Sequence, residues 1–130
     1  MMSTTATAAP SRVRSILPWT LQILLAAAFL AAGFSKLAGA KDMVDLFGSL
    51  SLGQGFRYVT GAIEAIGAIL LLVPRRAVWG AMLLIPTMVG AVITHLFLIG
   101  GSAVPALVLL VLLLAVLWLR REQLPIRRGT

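Results

Sequence analysis

The sequence predicts an all-α integral membrane protein, a four-helix bundle with a short interfacial helix between spans one and two. Three observations lead there. Hydrophobic residues make up 60% of the chain and charged ones only 12%, with a mean hydropathy of +1.03. Four apolar segments divide the chain, each close to the roughly 20 residues needed to cross a hydrocarbon core about 30 Å thick. Arginines flank these segments, apart from Arg57 in the first turn of the second. A soluble domain is nearer half apolar and a quarter charged. With so few charges, a water-facing surface would carry large apolar patches, which soluble monomers avoid.

Taken in order, Met1 to Ser15 is rich in Ser, Thr and Ala without apolar periodicity, and is expected as a flexible N-terminal tail (residues 1–15). The apolar run after it is too long for a signal-peptide core and is expected to be retained. Span one covers about 17–37, with Pro18 tolerated in its opening turn. Span two covers about 55–73 and is closed by Pro74. Span three covers about 77–99, where Pro86 and Gly90 predict a bend. Span four covers about 103–119 and has an early proline, Pro105. Residues 16–121 form the membrane domain, and 122–130 form a basic C-terminal tail. Between spans one and two, Met43, Leu46, Phe47 and Leu50 recur at helical spacing opposite Lys41, Asp42 and Asp45. That pattern predicts the short interfacial helix.

Orientation follows from the basic residues. Arg12, Arg14, Arg75, Arg76, Arg120, Arg121, Arg127 and Arg128 fall on one side, eight of the eleven. Lys36, Lys41 and Arg57 fall on the other. The positive-inside rule makes the arginine side cytoplasmic, so both termini are cytoplasmic in a multi-pass protein of the cell membrane. Trp19, Trp79 and Trp118 agree, because all three lie at the arginine-side interface, where indole rings prefer to sit. The net charge of +7 is explained by this topology and by contact with lipid headgroups. It therefore does not point to nucleic acid. The absence of cysteine excludes disulfides, thiolate metal sites and CxxC redox chemistry. The chain shows no phosphate loop, nucleophile elbow, zinc motif or dinucleotide fingerprint.

Ionisable groups inside spans cost roughly 2.5–3.5 kcal/mol each on insertion scales, so the few present need a reason. Lys36 lies near the outer end of span one, Glu64 about 12 Å below Phe56 in span two, and His95 one turn from the end of span three. All three share the outer half of the bundle, whereas the inner half holds only Gln22. Arg57, Thr60, Gly61 and Glu64 make one polar or small stripe on span two, and Thr87, Ala91, Thr94 and His95 a similar one on span three. Lipid offers these groups no partner, so both stripes should face the interior. Glu64 and His95 are the candidate catalytic or proton-handling residues, and Lys36, Arg57, Thr60 and Thr94 the candidate ligand-binding ones. Each has a plainer role: Glu64 as an internal counter-charge, His95 as a hydrogen-bonded interior histidine, Lys36 reaching for headgroups. A lone histidine is not a metal site, and no metal is assigned.

The segments AAGFSKLAG (Ala31 to Gly39) and GAIEAIGAILLLVPR (Gly61 to Arg75), followed by a histidine late in span three, resemble the DoxX-like family. The resemblance runs from about Leu17 to Leu119. It implies a four-helix membrane bundle with Gly33, Lys36, Gly61, Glu64, Gly67 and His95 at the matching positions. The family takes its name from a subunit of an archaeal thiosulfate:quinone oxidoreductase, and distant relatives assist assembly of other membrane proteins. One expectation is thus a redox-associated subunit that handles a quinone or similar small apolar molecule, with electrons supplied by a partner oxidoreductase. Another is a non-enzymatic scaffold or assembly factor that binds another membrane protein. A third is a small-molecule isomerase or hydrolase using Glu64 and His95 as acid and base. Whether the protein is an enzyme, and in what oligomeric state it works, the residues leave open.

Overall fold

The structure is a computed structural model that describes the backbone of residues 2–50 and 53–124, and side chains from Ile16 onward except Ile99. Helix α1 runs Met2–Ala38, α2 Lys41–Ser49, α3 Gly53–Leu72, α4 Ala77–Thr94 and α5 Val104–Leu119. A π-helical turn, His95–Ile99, continues α4, and a short 3₁₀ turn, Arg121–Gln123, follows α5. There are no strands among the described residues. Part of 122–130, expected as a tail, lies outside the described residues.

The helices start and stop where local chemistry directs, with one correction. Pro18 does not open α1, because helical backbone reaches back to Met2 through residues expected as a tail. Ala6, Ala8 and Ala9 are strong helix formers there. Gly39, at φ 76°, lets the chain leave α1 in a left-handed turn. Pro86 is accommodated inside a continuous α4, on its exposed side, and the departure from α geometry comes later, at the π turn. Pro105 sits in the first turn of α5, where its missing N–H is not needed.

Three helical stretches, Ile16–Ala38, Gly53–Leu72 and Ala77–Leu98, are long and apolar enough to cross a membrane. The fourth, Val104–Leu119, is apolar but shorter, with 16 residues. Helix α3 packs on α1 and α4, while α5 packs on α4 and less extensively on α1. The core they enclose includes Leu25 and Phe29 of α1, Ala68 and Leu71 of α3, Leu84 and Met88 of α4, and Leu113 and Val116 of α5. On α3 the buried residues Arg57, Gly61, Glu64, Ala68 and Leu71 recur at helical spacing, so one stripe faces inward. The outside stays apolar: Phe34, Ile69, Phe97 and Trp118 are all more than half exposed. Such a surface is stable in lipid and not in water.

Helix α2 follows its predicted pattern. Phe47 is buried and packs on Phe56 of α3 at 5.9 Å between ring centres. Met43, Leu46 and Leu50 are half-buried, whereas Lys41, Asp42 and Asp45 are exposed.

Candidate functional site

Two glycines create the site. A β-carbon on Gly33 would lie 2.8 Å from the Gly61 carbonyl oxygen, and one on Gly61 would lie 3.0 Å from Lys36 Cβ. Helices α1 and α3 therefore cross almost backbone to backbone, which only small residues permit. Side chains on a helix lean toward its N-terminus, so Lys36 reaches back along α1 toward Glu64 on antiparallel α3. Its Nζ lies 2.8 Å from Glu64 Oε1. Glu64 is 3% exposed and Lys36 13% exposed. This is a buried ion pair at charge-assisted hydrogen-bond distance, and among the described residues no other partner reaches Oε1.

Arg57 sits about two turns nearer the start of α3, and it is also buried. Its Nε donates to Gln54 Oε1 at 2.6 Å, its Nη1 donates to the Lys36 carbonyl oxygen, and its guanidinium lies 4.3 Å from the Tyr58 ring centre. The Lys36 carbonyl belongs to the last turn of α1, where it accepts one long 3.3 Å bond from the Gly39 N–H and where the helix dipole is negative. Arg57 answers both needs. Gln54 in turn donates to the Val44 carbonyl oxygen at 3.0 Å, tying α2 to the same cluster. Gln54 was not singled out from the sequence, although its i, i+3 spacing to Arg57 is a signal that could have found it.

The other candidates are not brought to the pair. The Thr60 hydroxyl donates to the Phe56 carbonyl at 2.9 Å and the Thr94 hydroxyl to that of Gly90 at 2.8 Å, each within its own helix. His95 Nδ1 lies 2.9 Å from the Ala91 carbonyl oxygen. A carbonyl only accepts, so Nδ1 carries the proton and a neutral ring keeps its lone pair on Nε2. Among the described residues no hydrogen bond or ion pair joins His95 to Lys36 or Glu64. The ring is half-buried at the end of α4, beside Gly101.

A second polar cluster forms at the opposite end of α1. Gln22 is 1% exposed; its Nε2 donates to the Leu71 carbonyl at 2.8 Å and its Oε1 accepts from Arg120 Nε at 2.7 Å. One amide thus joins α1, α3 and the end of α5. The role of Arg120 could not be read from the chain, because the two residues lie far apart in it.

Apolar helices packed around a crossing that encloses an ion pair define a small helical membrane protein. The chain belongs to the DoxX-like family, whose sequence model matches residues 20–119. It is also 32% identical over 74 residues to a Bacillus subtilis (strain 168) protein named "Putative oxidoreductase CatD". That match covers 57% of this chain and 55% of the relative, so the chain aligns with about half the length of that protein. No solved structure matches the chain at a significant level.

Proposed function

We propose that the protein is a redox-associated membrane subunit that binds a quinone or similar small apolar molecule beside Lys36 and Glu64. In this reading the chain crosses the membrane four times with both termini in the cytoplasm, and electrons come from a partner oxidoreductase. One observation carries the reading: a carboxylate buried in an apolar bundle whose one charged partner is a partly exposed lysine. Intramembrane carboxylates mark ligand or proton pathways more often than packing. A ligand hydroxyl could donate to Oε1, and Lys36 could donate to a ligand carbonyl. Quinone reduction takes up two electrons and two protons, and Glu64 would pass protons to the ligand oxygens. The oxidoreductase name of the Bacillus relative supports the redox association.

A second reading is a scaffold or assembly factor in which the pair is an internal clamp. The Gly33–Gly61 contact favours it, since the pair also locks that crossing. The separating experiment is extraction of bound molecules from full-length protein purified in mild detergent. Wild type should release a quinone-like compound, and Glu64→Gln, which keeps size and much of the hydrogen bonding, should not. Equal amounts from both, or none from wild type, would discard the ligand site in favour of the clamp. Topology is checked by reporter fusions: after Thr130 and within the Arg75–Arg76 turn they should read cytoplasmic, and after Ser102 external.

A further inference from the structure

Between the α3–α4 turn and the chain leaving α5 lies a groove lined by Arg75, Arg76, Arg120, Glu122 and Gln123. We propose that this groove is a binding site for the phosphate of an anionic phospholipid headgroup, a site separate from the Lys36–Glu64 pair and independent of its function. Three arginines face one glutamate, so the groove carries excess positive charge. Guanidinium groups match phosphate oxygens in pairs, which makes arginine suited to this ligand.

Several features show a built groove rather than a scattered basic surface. Gln123 Oε1 accepts from the Val78 backbone N–H at 3.2 Å, which pins the 3₁₀ turn against the first turn of α4. Arg120 is held on the opposite wall by Gln22 and by stacking 5.8 Å from the Trp19 ring centre. Arg75 has φ 68°, the one positive value on a non-glycine residue among the described residues. A turn that needed only its shape would be relaxed by glycine there, so a strained arginine invites a functional account. Among the described residues neither Arg75 nor Arg76 forms an ion pair. Trp19, Trp79 and Trp118 all lie at this end of the bundle, the depth at which indoles meet headgroups. That depth favours a lipid phosphate over a soluble one, in line with basic pockets between spans that take anionic headgroups.

The test is native mass spectrometry of the full-length protein in detergent, titrated with dioleoyl phosphatidylglycerol and, separately, with dioleoyl phosphatidylcholine. Wild type should retain a discrete phosphatidylglycerol adduct in preference to phosphatidylcholine. Each groove arginine is worth about five-fold in affinity, so Arg75→Gln with Arg76→Gln should weaken binding about 25-fold. Both side chains are exposed, and an unchanged melting temperature shows that the double variant folds. Arg121→Gln is the matched control: this arginine stacks 4.1 Å from the Trp118 ring centre and does not line the groove, so its loss should change affinity less than about two-fold. Wild-type affinity in the double variant would overturn the site. So would an Arg121→Gln loss equal to that of Arg76→Gln alone, which would mark a general basic surface. Displacement of the lipid by millimolar inorganic phosphate would overturn the lipid assignment in favour of a soluble anion.

Discussion

The two ends of α1 solve one problem in different ways. At one end Lys36 meets Glu64, two full charges in contact inside the bundle. At the other, Gln22 meets a backbone carbonyl and an arginine, one neutral amide using both its donor and its acceptor. The amide has a partner for both its nitrogen and its oxygen, whereas the buried carboxylate oxygen has the lysine alone. For structure alone the amide is the cheaper device, because charges lose far more hydration than amides on burial. The Lys36 end thus keeps the more expensive of the two arrangements. That is the reason to look for function there.

The largest effect should come from forcing the crossing apart. Gly33→Leu places side-chain atoms where the Gly61 carbonyl and the Ala65 amide already stand, and neither can move without moving α3. A destabilisation of about 3 kcal/mol is expected, read by denaturant or thermal unfolding in detergent. An unaltered melting temperature would mean that α1 and α3 do not cross at this pair.

Next comes Glu64→Gln, which leaves Lys36 without its counter-charge. A fully buried pair typically costs about 3–5 kcal/mol to break, but the lysine retains some exposure, so about 2 kcal/mol is expected. Adding Lys36→Met should bring stability back to within about 1 kcal/mol of wild type, since apolar replacements of buried pairs are often neutral. Rescue of stability without rescue of ligand would separate the clamp from the site. No rescue would place Lys36 in some contact other than the one seen here.

How much of this could be read in advance depends on whether a partner is local or distant. The apolar runs, the amphipathic α2 and the stripe on α3 follow from periodicity, and they fall where the sequence places them. Lys36 and Glu64 stood out because charge in an apolar run needs a partner. The fate of His95, Thr60 and Thr94 was hidden: each meets a carbonyl four residues back, a local option that spacing alone cannot separate from an interhelical one. Arg57, a candidate ligand-binding residue, also caps the end of α1, a role set by how the chain turns at Gly39.

A smaller effect is expected at the neutral end. Gln22→Leu removes two interhelical hydrogen bonds, each worth about 0.6 kcal/mol in membrane proteins, so a loss of about 1 kcal/mol should appear in the same unfolding assay. A loss as large as that of Glu64→Gln would erase the contrast between the two ends.

The smallest effect should come from Lys41, and it tests whether burial sets the scale. Lys41 Nζ lies 3.2 Å from Asp45 Oδ2, nearly the separation found for Lys36 and Glu64. The charges and the distance are similar, but these side chains are 92% and 66% exposed. Water screens such a pair, and holding two long side chains together loses entropy, so exposed i, i+4 pairs contribute about 0.3–0.5 kcal/mol. Lys41→Ala should therefore leave the unfolding free energy within about 0.5 kcal/mol of wild type, and added salt should shrink even that difference. A loss approaching that of Glu64→Gln would show that α2 lies in a less watery setting than its exposed face implies. The ion pair on α1 and α3 would then have no claim to special status, because surroundings rather than depth in the bundle would explain both.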